Sequence, residues 1–476
     1  MKRRTKIIAT LGPATEDPKV MDEIISAGID VVRVNFSHDK IEEHVERIET
    51  LRNRVRSYGH QIGVLVDLQG PKIRIEKFKK GKIKLKKDSV FTLDTNLDKN
   101  AGDENRVGIN YANLAEDVSR GDTLLLDDGA IVLWVNKVED NEITCKVIVG
   151  GKLSDNKGLN RQGGGLSAPA LTEKDKEDLV VAAEMNADFV AVSFVRSASD
   201  IEEARELFQQ AGGTGGIIAK IERAEALDSL EELIDASDAI MIGRGDLGVE
   251  VGDAELPALQ KKIIRLARQK NSVVITATQM MQSMVNSPIP TRAEVFDVAN
   301  AVLDGTDAVM LCEETATGQY PAKVVIAMDR ICKEAEKQNV ARISDHRLNT
   351  RFGRIDEAIA MSTMYTANHL GVAAIAALTE SGDTAKWMSR ISSGIPIYAL
   401  TRHVETRRKV TLYRGVYPVS FDVMLNDTSE VNQEIIDELQ RRGAVRNGDL
   451  IVVTMGDVSG ERGGSNVMKI IRVSDS

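Results

Sequence analysis

"VVRVNFSHDKIEEHVERIETLRNRVRSYGHQIGVLVDL", residues 31–68, is the stretch whose reading decides the fold. It opens on an apolar, β-branched run, "VVRVNFS" (31–37). It continues into "IEEHVERIETLRNRVRSYG" (41–59), with apolar residues three and four apart and a glycine at the end. It closes on a second apolar run, "GVLVDL" (63–68). The middle spacing marks an amphipathic helix, and the short flanking runs mark buried strands. Near-continuous apolar strands joined by an amphipathic helix imply parallel pairing.

The same alternation extends in both directions. "KIIATLG" (6–12) and the helical "DPKVMDEIISAG" (17–28) precede it. "DFVAVSF" (188–194), "GIIAKIE" (216–222), "AIMIGRGD" (239–246), "VVITATQ" (273–279) and "AVMLCEE" (308–314) follow, most of them separated by helical stretches. Eight strand–helix units predict an α/β chain built on a closed (β/α)8 TIM barrel; an open doubly wound sheet is the alternative. One connection breaks the pattern. Between Asp67 and Thr172 no helical period appears, and runs such as "KIKLKKDSVFTLDT" and "DTLLLDDGAIVLWVNKVEDNEITCKVIVGGKL" read as strands with turn signals. The expected organisation is therefore a barrel over 1–70 and 169–340, an inserted β-barrel-like lid over 71–168 with "RQGGGLSAP" (161–169) as its return hinge, and a C-terminal α/β domain over 341–476. A domain inserted after a strand hangs over the C-terminal end of the barrel, where a lid belongs.

Composition narrows the partners. The 476 residues carry a net charge of −10, with 42% apolar and 28% charged residues. No basic field exists to attract nucleic acid or an anionic membrane. The three cysteines form no zinc pattern and suit a reducing, cytoplasmic setting, and no apolar run reaches membrane-spanning length.

Chemistry in a parallel barrel gathers at the C-terminal ends of its strands. Here those ends carry Arg33, Asn35, Ser37, Asp67, Lys220, Glu222, Arg244, Asp246, Thr278, Gln279 and Glu314. Glu222 and Asp246 are hard oxygen donors suited to Mg²⁺, while Arg33 and Lys220 suit phosphoryl oxygens. "GRGDLG" (243–248) puts Gly245 where backbone N–H groups can approach an anion at a helix start. No Walker A sequence is present. A solvated set of loop starts is the alternative for any one of these residues.

In this order, "TKIIATLGPAT" (5–15), "VVRVNFSH" (31–38), "DLQGPKIR" (67–74), "LTEKDKED" (171–178), "IIAKIERAEAL" (217–227), "IGRGDLGVE" (242–250), "TATQMMQSM" (276–284), "PTRAEVFDVANAVLDGTDAVML" (290–311) and "ETATGQYP" (314–321) resemble the pyruvate kinase family over essentially the whole chain. The resemblance implies phosphoryl transfer from phosphoenolpyruvate to ADP, the last step of glycolysis, by a homotetramer. It implies Glu222 and Asp246 as ligands of Mg²⁺, which Mn²⁺ can replace. Lys220 is implied as the transition-state cation and Arg33 as the phosphoryl-binding arginine. Gly245, Asp246 and Thr278 would grip the substrate, with Thr278 and water on the proton route. Arg74, Lys157 and His38 would contact ADP or ATP. Another Mg²⁺-enolate barrel would explain the carboxylates and Lys220, but not the inserted β domain.

Several positions depart from the family pattern. Many members hold K⁺ with residues matching Asn35, Ser37, Asp67 and the carbonyl of residue 68, with Thr at 68 and Glu at 72. This chain has Leu68 and Lys72. A Lys ammonium is a compact monovalent charge, so Lys72 is expected to stand in for K⁺ near Asp67 and make K⁺ dispensable. Cys312 replaces a common Ser and reads as a buried, inert thiol. Gly243 replaces a common Ala, with little consequence expected. In the C-terminal domain, "TESGDTAKW" (379–387) offers Thr379, Ser381, Gly382 and Thr384 at a helix start, which suits either a phosphorylated effector or plain capping. It resembles the members activated by sugar monophosphates or AMP, and "SGERGGSN" (459–466) would close over the effector.

Overall fold

A computed structural model describes residues 2–341, 351–422, 428–456 and 464–474. Strands β1 (Lys6–Thr10), β2 (Val31–Asn35), β3 (Gly63–Asp67), β4 (Phe189–Val192), β5 (Gly216–Ile221), β6 (Ala239–Gly243), β7 (Val273–Ala277) and β8 (Ala308–Leu311) form a closed parallel barrel. Strand β1 decides between barrel and open sheet, because it pairs on one edge with β2 (Ala9 opposite Val32) and on the other with β8 (Ile8 opposite Met310).

Side chains alternate across each strand. Ile7, Val32, Val64, Ile217 and Val274 face outward beneath the helices, while Ile8, Leu65, Ile218, Met241 and Ile275 fill the barrel. Each such side chain, fully buried, contributes about 1.5–3 kcal/mol. The same period carries inward-facing polar residues to the mouth: Arg33 two after Val31, Asp67 two after Leu65, Lys220 two after Ile218. Local signals stop and start the helices as the sequence suggests. Asp17 accepts from Lys19 N at 2.8 Å to cap α1 (Pro18–Ser26), and Gly59 at φ 63° ends α2 (Ile41–Tyr58). A left-handed residue there costs glycine little.

After β3 the chain leaves the barrel for an inserted β unit. Leu159–Arg161, Thr123–Leu126, Ile131–Glu139, Glu142–Val149, Val90–Asp94 and Arg106–Gly108 make a six-stranded sheet in that order, antiparallel except for its last pair. Lys82–Lys84 and Lys152–Ser154 form a second, two-stranded sheet. This unit has its own apolar core, running from Ile73 to Ala168 and centred on Phe91, Leu133 and Cys145. A single helical turn, Leu114–Asp117, is too short to leave a period in the sequence. The chain re-enters the barrel at helix α3 (Glu173–Glu184), where Thr172 and Asp175 cap one another's backbone.

The C-terminal unit is a five-stranded sheet: β9 (Ala374–Leu378), β10 (Ile397–Thr401), β11 (Val416–Ser420), β12 (Leu450–Gly456) and β13 (Ser465–Arg472), ordered β11-β10-β9-β12-β13. Only β13 runs antiparallel. Strand β11 escapes sequence reading because Pro418 interrupts it. The proline is tolerated because β11 is an edge strand, paired only with β10. This unit covers the N-terminal end of the barrel, and Val410 and Leu412 share a core cluster with the barrel interior. Residues 342–350, beside the expected domain boundary, and 457–463, overlapping the "SGERGGSN" segment, lie outside the described residues. Among the described residues no helix is long and apolar enough to cross a membrane.

Candidate active site

The polar residues at the mouth form one connected network. Asp67, fully buried at the end of β3, accepts from Arg33 Nε at 2.7 Å and faces Lys220 Nζ at 3.0 Å. Lys220 also lies 3.1 Å from Glu222 Oε1 and donates to Ser193 Oγ at 2.7 Å. Ser193 in turn donates to the Leu68 carbonyl at 2.8 Å. Arg33 Nη1 reaches Thr10 Oγ1 at 3.2 Å. Ser193 was not singled out in the sequence, although it follows directly on β4; a hydroxyl at a strand end is a weaker signal than a charge.

Charge and burial set the protonation states. Burial works against ionising Asp67, but the Lys220 and Arg33 cations outweigh it and hold the carboxyl below its usual range. Burial works against charging Lys220, and the Asp67 and Glu222 carboxylates more than compensate, raising its pKa. Lys220 is therefore a permanently charged ammonium, not a base. Glu222 is raised, first by burial, with Lys220 opposing and the charge of Asp246 adding to the rise. These two carboxylates are close enough to disfavour one another's charge. They fit a divalent ion that takes one or two carboxylates and completes its octahedron with water and substrate oxygens. No larger cage of His, Cys, Asp and Glu gathers among the described residues.

Lys72 takes a different partner from the one expected. Both oxygens of Asp67 are already engaged by Arg33 and Lys220, and Lys72 Nζ instead lies 3.1 Å from Asp246 Oδ1. It thus neutralises a carboxylate that faces Glu222. The other residues of the expected monovalent-ion position stay together. Asn35 stands opposite Asp67 in the β2–β3 register, and Asn35 Oδ1 accepts from Ser37 N at 3.3 Å.

Asp246 and Gly245 lie in the first turn of helix α4 (Arg244–Val251). Gly245 N donates to Thr278 Oγ1 at 2.9 Å, and that hydroxyl donates to the Ala277 carbonyl at 2.7 Å. Thr278 has φ 64° and Gln279 φ 53°. A β-branched residue there is strained, and such strain persists only where the surroundings over-determine it. Arg244 does so: Nη2 donates to the Thr278 carbonyl at 2.7 Å, and Nη1 is anchored on Asp297 at 2.7 Å. Gly243 has a larger role than its sequence suggested. A Cβ there would stand 2.5 Å from Glu222 Cγ, so this glycine makes the room in which Glu222 lies. Glu314 braces the loop after β8 by accepting from Cys312 N at 2.6 Å. Burial foremost pushes the Cys312 thiol up to about 11, against the pull of Arg33, so it is protonated at neutral pH.

Arg74 and Lys157 meet at the hinges of the inserted unit. Arg74 pairs with Gly158 across an isolated bridge, and Ile75 N donates to the Lys157 carbonyl at 2.9 Å. Lys157 Nζ rests on Asp127 at 2.7 Å. His38 has its imidazole pKa lowered, by burial first and then by Arg74 and Arg33. In the C-terminal unit, Thr379 Oγ1 accepts from Gly382 N at 2.9 Å and Ser381 Oγ from Asp383 N at 3.4 Å, while Thr384 Oγ1 shares a hydrogen bond with Ser465 Oγ at 2.7 Å. The loop's hydroxyls cap its own backbone in this arrangement.

Comparison with known proteins agrees over the full length. Residues 2–325 match the pyruvate kinase barrel domain and residues 357–471 the pyruvate kinase alpha/beta domain. The chain is 53% identical over 475 residues to a pyruvate kinase of Buchnera aphidicola subsp. Acyrthosiphon pisum, covering 99% of each. It is 52% identical over 475 residues to pyruvate kinase II of Salmonella typhimurium, again covering 99% of each. To a pyruvate kinase of Haemophilus influenzae it is 51% identical over 458 residues, or 95% of this chain and 96% of that one.

Proposed function

The chain belongs to the pyruvate kinase family and is a phosphotransferase, and from that premise we propose that it moves the phosphoryl group of phosphoenolpyruvate to ADP, giving pyruvate and ATP. The observation that carries this reading is the Lys220 ammonium, held charged between Asp67 and Glu222 at the barrel mouth. Arg33 and Lys220 bind the phosphoryl oxygens. As the bond between phosphorus and the enol oxygen breaks, its electron pair stays on the substrate as an enolate, and a new bond forms to a β-phosphate oxygen of ADP. Lys220 remains beside both the transferring group and the enolate oxygen, so its charge is worth more in the transition state than in water. The Gly245 N–H and Thr278 orient the substrate, and Thr278 with ordered water delivers a proton to the enolate carbon. Glu222 and Asp246 would hold Mg²⁺ or Mn²⁺, which would supply positive charge to offset that of the anionic substrate.

Arg74, Lys157 and His38 are the nucleotide contacts of this proposal. Closure of the 71–168 unit over the 1–70 and 169–340 barrel excludes water and suppresses hydrolysis. Lys72 replaces K⁺ by supplying a fixed monovalent charge beside Asp246. A phosphorylated metabolite activates through Thr379, Ser381, Gly382 and Thr384 in the 341–476 domain, and the enzyme works as a cytoplasmic homotetramer. The direct test is ³¹P NMR of the purified chain with phosphoenolpyruvate, ADP and Mg²⁺. ATP should appear as phosphoenolpyruvate disappears, one for one. Pyruvate formed without ADP, or no turnover with a panel of sugar phosphates and AMP present, contradicts the reading.

A further inference from the structure

Far from the mouth, where the C-terminal unit meets the N-terminal end of the barrel, Arg4, Arg268, Arg390 and Arg414 converge on a cavity of about 20 Å³. Their hydrogen-bonding capacity is unevenly used. Arg390 is well satisfied: Nη1 donates to the Ser272 carbonyl at 2.7 Å and to Asp307 Oδ2 at 2.9 Å, and Nη2 to Ser389 Oγ at 2.8 Å. Arg4 donates from Nη1 to the Ala341 carbonyl at 2.7 Å and to the Ser393 carbonyl, and from Nη2 to the Glu336 carbonyl at 2.9 Å, but its buried Nε has no hydrogen-bond partner. Arg268 has one hydrogen bond, from Nη2 to Ser392 Oγ at 3.1 Å. Arg414 is the anomaly. The residue is 9% exposed, and its buried Nη2 has no hydrogen-bond partner among the described residues.

Among the described residues, these four guanidinium groups share two carboxylates, Asp307 and Glu336. Guanidinium does not shed its proton at physiological pH, so the surplus positive charge is real. An unpaired buried charge is among the most destabilising features a fold can carry. The strain is visible in the neighbours: burial, and then the charge of Arg414, push both Arg4 and Arg268 down to about 10. The cavity has room for a water-sized body, which fits a monatomic anion.

We propose that the cavity framed by Arg4, Arg268, Arg390 and Arg414 is a binding site for one small inorganic anion of the halide class, clamping the C-terminal unit to the barrel. Arg4 belongs to the segment entering β1, Arg268 to the helix preceding β7, and Arg390 and Arg414 to the C-terminal unit. An ion among them ties both units to one charge.

The test uses the full-length chain. Crystals soaked in sodium bromide should show an anomalous peak in the cavity within hydrogen-bonding distance of Arg414. Melting in chloride should exceed melting in gluconate at equal ionic strength by on the order of 1–3 °C. Arg414→Met should abolish that difference and melt above the natural protein in gluconate, where its unpaired charge is gone. A cavity holding only water after the bromide soak, or equal melting of the natural protein in the two salts, overturns the proposal. The bromide map decides even if Arg414→Met does not fold.

Discussion

Reversing the charge at Lys72 probes the chain's main departure from its family pattern. Lys72 Nζ lies 3.1 Å from Asp246 Oδ1, with side-chain exposures of 27% and 20%. Two unit charges about 4 Å apart at an effective dielectric near 20 interact by about 4 kcal/mol. Partial exposure and salt reduce that to about 2 kcal/mol. Removing the attraction alone therefore corresponds to a roughly 30-fold effect, at 1.36 kcal/mol per decade, and Lys72→Glu adds repulsion of the anionic substrate. The natural enzyme should turn over at nearly the same rate in K⁺, Na⁺ or tetramethylammonium chloride at fixed ionic strength. Lys72→Glu should lose kcat/KM for phosphoenolpyruvate by at least about 30-fold in tetramethylammonium and recover most of it in K⁺. The assay is steady-state pyruvate release coupled to lactate dehydrogenase. Strong K⁺ activation of the natural enzyme, or a Lys72→Glu enzyme indifferent to K⁺, refutes the reasoning.

Further outcomes follow from the same geometry. Gly243→Ala should displace Glu222, whose Cγ lies 2.5 Å from where the new Cβ would stand; titration of Mn²⁺ by electron paramagnetic resonance should show affinity several-fold weaker, whereas unchanged affinity would mean that Gly243 is not what sets the position of Glu222. Asp67→Asn leaves Arg33 and Lys220 buried without their shared carboxylate and should destabilise the fold by about 3–5 kcal/mol, read by urea denaturation; a loss under 1 kcal/mol would contradict the buried network. Glu250 is pushed up to about 7, chiefly by burial, with Ala224 N–H opposing and Glu225 adding. A carboxyl whose folded pKa is raised binds more protons folded than unfolded, so its contribution falls as pH rises from about 4.3 to the folded value. Glu250→Gln should therefore gain stability relative to the natural protein at pH 8 but not at pH 4.5, in paired thermal melts; an equal difference at both would remove Glu250 as the cause.

Much of this architecture was legible because strand and helix periods are local. Apolar runs such as Val31–Val34 and Gly63–Val66, separated by three- and four-residue spacing, specify the units without reference to anything distant. Strand-end polarity then pointed to Arg33, Asp67, Lys220, Glu222, Asp246 and Thr278, and period-two alternation explains how Arg33, Asp67 and Lys220 turn inward. What stayed hidden depends on contacts distant in sequence. Closure needs β1 to meet β8, some three hundred residues away. Lys72 chooses Asp246 because Asp67 is already spent on Arg33 and Lys220, a competition that no local window contains. Ser193 matters through its place beside Lys220, and Arg414 is exceptional only through the partners it lacks. Strand β11 was masked by Pro418, whose penalty vanishes only at a sheet edge.

The central claim is that the charge of Lys220 stabilises the transferring phosphoryl group. The most direct measurement is the single-turnover rate of phosphoryl transfer in Lys220→Ala, with circular dichroism to verify folding and calorimetry to verify phosphoenolpyruvate binding. Loss of one preorganised positive donor should cut the rate by about 10²–10³-fold or more while the protein stays folded and still binds substrate. A folded Lys220→Ala enzyme with near-normal turnover would contradict the account.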